Sequence, residues 1–496
     1  MIESAPRVLP EAPVRRLADY LGRGGGRGLD AARKLGPAAV IDEVEASGLR
    51  GRGGAGFPTG VKWRTVAGYG GSAAVAPTVV VNGAEGEPGT FKDRAILRAN
   101  PFAVVEGAVV AAFAVGADRI VFALKETFGP ERERLAAAVA EMDADDGDWF
   151  ADVNVGIVAG PSEYLYGEET GLLEVLEGRP PFPRVAPPFR HGIDEVVARD
   201  GGSGAEAAHI ADEGEAAGLQ LAQLSPGGSP PTLVNNLETI ANVPGVLAEG
   251  ADWFRQLGTA QSPGTIVCTV SGAVAHAGVG EIELGTPLAD AIELIGGGPR
   301  EGRQLVAALS GVANPIVPAA RFDTPLTYED MQAIGSGMGS AGFIVFDDRT
   351  DLAAVAAGVS RFLAVESCGQ CTPCKQDGLE LARLLANVCD DGASDHDLAA
   401  VADRVSTVAD EARCSLALQH QQVVGSILRL FPEAFRAHIA ATVPASEPEP
   451  ILPLRDVIVD EAGESVVELD LNELRKQPDW SYDPTDSGKT PVDRLR

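Results

Sequence analysis

Three of the chain's six cysteines, Cys368, Cys371 and Cys374, fall within seven residues in the stretch ESCGQCTPCKQD. Cys-x2-Cys-x2-Cys spacing puts three sulfurs around one point on a tight loop. Zinc sites more often take their ligands in pairs. Three close thiolates with a distant fourth are typical of a [4Fe–4S] cluster. Gly369 and Thr372 offer backbone N–H groups to the sulfurs, contacts of the kind that tune a cluster, and Pro373 stiffens the loop. Two cysteines downstream are available as the fourth ligand, Cys389 in LLANVCDDG and Cys414 in EARCSLAL. Spacing does not choose between them, and the plain alternative for the whole set is buried structural thiols.

A second stretch with chemical content is GLRGRGGAGFPTG (48–60), with six glycines in thirteen residues. Glycines let the backbone approach a ligand and turn its N–H groups inward, and phosphate is the usual guest of such a loop. Arg50, Arg52 and Lys62 add positive charge. The loop lacks the GK[ST] of a Walker motif and the strand–helix setting of GxGxxG. Next comes NGAEGEPGTFKDR (82–94), which places Asn82, Glu85 and Glu87 at the C-terminal end of an apolar run, the ligand-binding edge of an α/β sheet. YGEETGLLEVLEG (166–178) has two carboxylates at a predicted helix start, equally readable as an acidic cap. The paired Asn residues of VNNLET (234–239) suit a phosphate or a ribityl chain, and also a turn.

The elements that must position these residues follow from periodicity. Residues 1–45 read as helices, with Pro37 near a helix start and Gly48 past its end. PTVVVNGAE, DRIVFAL and DVNVGIVAG read as buried strands alternating with helices, which predicts an α/β layer with a parallel sheet. FAVVEGAVVAAFAVGADRIVFAL (102–124) is interrupted by Glu106, Asp118 and Arg119, so a helix over 102–115 followed by a strand is expected, not a membrane span. Residues 191–231 are acidic, Gly/Ser/Ala-rich and weakly periodic, the signature of a mobile surface insertion. Residues 265–297 predict a small α+β module, and 352–439 a helical bundle. The last fifty residues read as a Pro- and Asp-rich tail.

The chain has 496 residues, too many for one core, and a formal net charge of −31. That balance opposes nucleic-acid binding and adhesion to anionic lipid. It reads as a soluble surface, with adaptation to a salt-rich interior as the sharper interpretation. The start has no apolar core of a secretory signal, and six scattered and clustered cysteines do not make a disulfide framework. A cytoplasmic location follows as the expectation.

Taken in order and at these distances, GLRGRGGAGFPTGVKW, EGEPGTFKDR, YGEETGLLEVLEG, VNNLETIANVP and ESCGQCTPC resemble the NADH-oxidising flavoprotein subunit of respiratory complex I, a subunit type that recurs in NAD-linked formate dehydrogenases and soluble hydrogenases. The resemblance covers roughly residues 15–440. It implies N-terminal helices and the Gly loop over 1–60 and a Rossmann-like α/β domain over 61–258 that binds FMN and NADH. It also implies a β-grasp (soluble ligand-binding) module over 259–350 and a helical iron–sulfur domain over 351–440; composition makes 441–496 an acidic, Pro-rich tail. By position, Gly51, Arg52, Gly53, Gly54, Lys62, Asn82, Glu85, Gly167, Asn235, Asn236 and Thr239 would line FMN. Phe57, Glu87, Glu169 and Phe189 would lie at NADH. Cys414 takes the position of the fourth cluster ligand, which leaves Cys389 and Cys268 as packed thiols.

The implied reaction moves hydride from NADH to FMN, then single electrons to the cluster. From there they pass to a thioredoxin-like [2Fe–2S] subunit and a larger cluster-bearing subunit, peripheral to the inner face of a membrane. Three positions depart from the family pattern. Ala84 stands where a carboxylate is usual, making NGAE closer to the related subunit of ferredoxin–NAD oxidoreductases. Thr65 replaces an aromatic two residues after Trp63, and Ala186 replaces a Lys before the segment that retains Phe189. These leave a second reading open: an FMN/[4Fe–4S] adaptor of a formate dehydrogenase- or ferredoxin-linked complex with weak NADH activity.

Overall fold

The computed structural model describes residues 6–72, 76–151, 153–189, 192–193, 230–390, 392–459 and 465–476. The chain divides into two units. The first is Met1–Glu85, Lys92–Val267 and Gly280–Thr286; the second is Gly86–Phe91, Cys268–Val279 and Pro287–Arg496.

In the first unit, α1 (Leu17–Gly22), α2 (Arg27–Leu35) and α3 (Pro37–Ser47) precede the sheet. Pro37 sits in the first turn of α3, and Gly48, at φ +71°, ends it. These helices share the unit of the α/β core. The buried Glu106 carboxylate accepts from Tyr20 Oη at 2.6 Å, Gly26 N at 2.7 Å and Leu29 N at 2.9 Å, so a single side chain anchors the segment.

After them run α4 (Thr59–Ser72), β1 (Thr78–Gly83), α5 (Lys92–Ala99), α6 (Pro101–Val115), β2 (Arg119–Lys125), α7 (Gly129–Asp143) and β3 (Asn154–Gly160). The unit continues with α8 (Glu169–Leu176), β4 (Thr232–Asn236), α9 (Leu237–Glu249) and the short α10 (Ala251–Phe254). The sheet is parallel throughout, in the order β3-β2-β1-β4. Strand order reverses direction beside β1, which makes the crevice between the C-terminal ends of β1 and β4 the topological switch point. There Asn82 is in register with Asn236, and Val81 with Asn235. The helix expected over 102–115 is α6. Its sequence has no polar face because it is buried nearly all round, and Gly107 lets α9 come so close that a Cβ would lie 2.1 Å from Ile240 O. Among the described residues no single helix is long and apolar enough to cross a membrane; α5 and α6 pass only as a pair bent by 102°.

In the second unit, β5 (Thr265–Gly272), β6 (Gly278–Glu283), α11 (Leu288–Gly296), β7 (Leu305–Ser310), β8 (Val317–Pro318), α12 (Tyr328–Ala333) and β9 (Gly342–Asp347) form a mixed module. Its sheet order is β6-β5-β9-β7-β8, and the unit boundary falls within β5 and β6. A helical region follows: α13 (Leu352–Glu366), α14 (Thr372–Cys389), α15 (Asp395–Thr407), α16 (Ser415–Leu430) and α17 (Pro432–Ile439).

The expectation of a tail after residue 440 needs correction. β10 (Leu454–Val459) and β11 (Ser465–Leu469) form an antiparallel hairpin, and Ile451, Leu452 and Leu454 are buried. The apolar run ILPL inside a Pro-rich stretch is what seats it, an anchor that composition averages away. Residues 194–229 of the acidic insertion and 477–496 of the tail lie outside the described residues.

Candidate functional site

The glycine loop between α3 and α4 is closed by a bridge from Arg50 to Pro58 and by Gly51 N donating to Phe57 O at 2.8 Å. Gly54 has φ +128°, a conformation that a side chain would strain. A Cβ on Gly53 would stand 3.1 Å from Asn236 Cβ, so the loop backbone lies directly against the end of β4. Arg52 N donates to Thr239 Oγ1 at 2.8 Å, which fastens the loop to α9. The Arg52 side chain is fully buried, and its guanidinium donates to Arg50 O and Pro263 O. Its charge therefore braces the loop from within the protein.

The other motifs meet at the same crevice. Asn82, at the end of β1, donates to Gly167 O at 2.9 Å and accepts from Ala84 N at 3.1 Å. Gly167 packs closely on the end of β1, where a Cβ would lie 3.0 Å from Ala84 O. Asn235 Oδ1 accepts from Trp63 Nε1 at 2.9 Å, and Trp63 is fully buried on α4. Lys62, one residue earlier, pairs with Glu169 at 2.5 Å in the first turn of α8. Before Glu169, Glu168 caps α8 by accepting from Thr170 N and Gly171 N; burial raises its pKa. Phe57 is 53% exposed at the closing base of the loop. Phe189 packs on Tyr69 with ring centroids 5.5 Å apart.

Two expected site residues take other positions in the network. Glu85 is buried, with one oxygen accepting from Asp93 N at 3.0 Å and the other paired with Arg94 at 2.9 Å. It secures the start of α5 beside the site. Glu87 belongs to the second unit, where its carboxylate accepts from Val312 N at 2.5 Å.

Residues that the motif reading passed over complete the floor of the crevice. Lys92 is buried between Asp93 at 2.7 Å and Glu238 at 3.0 Å. Burial disfavours its charge, but Asp93, Glu238 and Glu85 together outweigh that and raise its pKa. One ammonium among these carboxylates leaves negative charge in excess. Burial, against the pull of Lys92, pushes the Asp93 carboxyl up to about 6. This network fixes the Asn236 amide. Its Oδ1 accepts from Lys92 Nζ at 3.1 Å and Glu238 N at 3.0 Å, and its Nδ2 donates to Asp93 at 2.8 Å. The signal was present in FKDR and NNLET, where charged residues open buried helices, but their pairing spans 146 positions of sequence from Lys92 to Glu238.

Among the described residues, therefore, a glycine-lined loop, a lysine and three asparagines converge on the carboxyl edge of a parallel sheet at its switch point. Those donors and that lack of Cβ atoms fit the phosphate and ribityl chain of a flavin mononucleotide.

In the second unit, Cys371 is the N-cap residue of α14, Cys374 lies in its first turn, and Cys414 is the N-cap residue of α16. Helix N-termini favour thiolates. Gln370 Nε2 donates to Cys368 Sγ at 3.4 Å, and Ser367 Oγ lies 3.2 Å from Cys374 Sγ. Arg413 donates to Gln370 Oε1 at 3.3 Å, which ties the Cys414 turn to the Cys368–Cys371 loop. Burial raises the Cys368 thiol and pushes Cys374 up to about 11, so a cluster must displace protons to bind. Cys389 is fully buried at the far end of α14, and burial pushes it up to about 12. No three His, Cys, Asp or Glu side chains among the described residues are gathered around a point suited to one metal ion. A four-iron cluster binds each thiolate through a different iron, so its ligands stand farther apart than around zinc. The donor set fits the cluster.

Comparison with known proteins agrees with this geometry. Residues 44–245 match the family described as Nuo51 FMN-binding domain, 267–313 the SLBB domain, and 354–438 the NADH-ubiquinone oxidoreductase-F iron–sulfur binding region. The chain is 35% identical over 422 residues to the F subunit of NADH-quinone oxidoreductase in Streptomyces coelicolor, covering 84% of this chain and 86% of that one. It is 35% identical over 370 residues to the F 2 subunit of the same enzyme in Rhizobium meliloti, covering 73% and 79%. Among solved structures, an NAD+-reducing [NiFe]-hydrogenase in the H2-reduced state superimposes with a TM-score of 0.71 at 29% identity, covering 90% of this chain and 70% of that one. With this identity across most of the relatives' length, the chain belongs to the family of NADH-quinone oxidoreductase F subunits.

Proposed function

We propose that this chain is the NADH-oxidising flavoprotein module of a larger redox complex, delivering electrons to partner iron–sulfur subunits. The observation that carries the reading is the register of Asn82 with Asn236 at the switch point, with the glycine loop lying against Asn236. Bound there, FMN supplies the conversion between a hydride and single electrons, and a [4Fe–4S] cluster at Cys368, Cys371, Cys374 and Cys414 supplies one-electron transfer. The chain's own part is positioning. Gly53 and Gly54 bring backbone N–H groups to the flavin phosphate, and Gly51 closes the base of their loop through its bond to Phe57 O. Asn82, Asn235 and Asn236, each held in one orientation by the bonds described above, present their remaining donors to the ribityl chain. Arg52 and Thr239 keep the loop closed, and Glu85 keeps α5 in place.

Phe57 and the Tyr69–Phe189 pair provide aromatic surface for the nicotinamide or adenine. Thr65 offers no ring, and its hydroxyl is bonded back to Val61 O within α4. Tyr69 lies one helical turn later on the same face of α4. That placement favours NADH oxidation over the adaptor reading suggested by Thr65, Ala84 and Ala186. The partners of this reading are a thioredoxin-like [2Fe–2S] subunit and a larger cluster-bearing subunit, with any membrane association through them. The excess of carboxylates suits a salt-rich setting.

Glu169 joins the two ligands of the site, since its carboxylate neutralises Lys62 on the flavin side and faces the adenosine ribose on the other. Glu169→Gln is expected to raise the NADPH-to-NADH ratio of kcat/KM by at least about fivefold, through loss of like-charge repulsion. An unchanged ratio in steady-state diaphorase assays would remove Glu169 from the nucleotide site.

The reading as a whole is tested by anaerobic titration of the purified chain with NADH, following flavin absorbance and the EPR signal of the cluster. Stoichiometric reduction of both supports it. Flavin that responds only to dithionite would transfer the assignment to the adaptor.

A further inference from the structure

The segment that follows α17 lies beyond the matched iron–sulfur region, yet it returns to that region along one helix. Ser446 Oγ donates to Asp351 Oδ2 at 2.6 Å at the start of α13. Glu449 N donates to Ala354 O at 2.9 Å. At Gly358 the two backbones touch: a Cβ there would lie 1.8 Å from Glu449 O. Arg361 donates to Leu474 O at 3.1 Å. At the last residue of α13, Lys476 Nζ reaches Glu366 Oε1 at 2.6 Å and also pairs with Glu473. All three of these charged groups are buried. Positions 351, 354, 358 and 361 recur at helical spacing, so the segment follows one face over the first turns of α13, and Lys476 then meets Glu366 at the helix's last residue.

The end it reaches is the start of the cysteine loop. Glu366 is followed by Ser367, whose N–H closes the last turn of α13 on Leu363 O at 3.0 Å. Ser367 Oγ lies 3.2 Å from Cys374 Sγ and accepts from Gly369 N at 3.4 Å. Glu366 is buried, and a buried carboxylate that loses its ammonium partner is strongly unfavourable. With Lys476 in place, the helix end and Ser367 are held; without it, a buried carboxylate at the helix end loses its ammonium and the restraint on Ser367 weakens.

We propose that residues 446–459 and 465–476 are a clamp on the cluster loop, in which Lys476 and Glu366 are positioning residues that hold Ser367 and the Cys368–Cys374 loop in cluster-binding geometry. The proposal rests on the assignment of the cluster to this loop. It is tested on the full-length chain carrying its cluster, by the rate of iron release to a ferrous-iron chelator and by the EPR spectrum of the reduced cluster. Lys476→Met is expected to accelerate iron release at least about tenfold, because loss of one partner of a buried pair raises local opening by that order or more. Its EPR g-values shift, while flavin content stays at the wild-type ratio. Lys476→Arg keeps the charge and restores the slow rate. Should Lys476→Met not fold, Gly358→Ala displaces the segment without changing any charge, and the same acceleration is expected. A wild-type chain with a cluster, whose iron release and EPR spectrum neither substitution alters, overturns the clamp alone. A wild-type chain that takes up no cluster overturns the cluster assignment, and the clamp with it.

Discussion

Cys414→Ala is expected to abolish the cluster's EPR signal and visible absorbance, whereas Cys389→Ser leaves both in place. The argument is one of reach. Cys374 is in the first turn of α14 and Cys389 is its last residue. At 1.5 Å per residue the fifteen steps between them span about 22 Å, far beyond a cluster. Cys414 instead opens α16, and the neighbouring Arg413 is bonded to Gln370 between two of the loop cysteines. Cys389 is packed against the Ser446 turn, its carbonyl accepting from Ser446 N at 2.9 Å, so its replacement costs packing and leaves cluster chemistry intact. Iron and sulfide analysis of the two purified variants decides it. A cluster lost only in Cys389→Ser would reverse the assignment of the fourth ligand.

The second large effect is expected at Lys92. Lys92→Met leaves Asp93 and Glu238 buried without their ammonium, a change of about 3–5 kcal/mol in folding stability. It also releases one of the two bonds that fix Asn236 Oδ1. FMN affinity, measured by fluorescence quenching on titration, is expected to fall at least about tenfold, the weight of a charge-supported bond in a desolvated site. Asp93→Asn keeps Lys92 paired with Glu238 and is expected to be milder in both readouts. Wild-type melting and wild-type FMN affinity in Lys92→Met together would show that Lys92 has no part in the cradle.

These two cases also mark how far the chain could be read without its fold. The parallel sheet was legible because strands buried on both faces must be apolar along their whole length, as TVVV and RIVFAL are. The glycine loop was legible because positive φ and close backbone approach leave glycine as the residue of choice, borne out at Gly53 and Gly54. The direction of side chains was not. Arg52 and Glu85 have the right types for a phosphate and a flavin, yet the structure turns the Arg52 guanidinium onto Arg50 O and Pro263 O and engages Glu85 with α5.

Sequence by itself determined that three thiolates share one loop, because seven consecutive residues cannot place their sulfurs far apart. It also singled out the glycine loop as the candidate phosphate cradle, since backbone freedom is a local property of glycine. Spacing left Cys389 and Cys414 both open; the physical reason to set Cys389 apart comes from the tertiary structure, because it depends on the length and direction of a helix. The tertiary structure alone buried Lys92 with Glu238 and Lys476 with Glu366. Each pair joins residues more than a hundred positions apart, and a charge that looks solvated in any local window is buried when the fold supplies its partner.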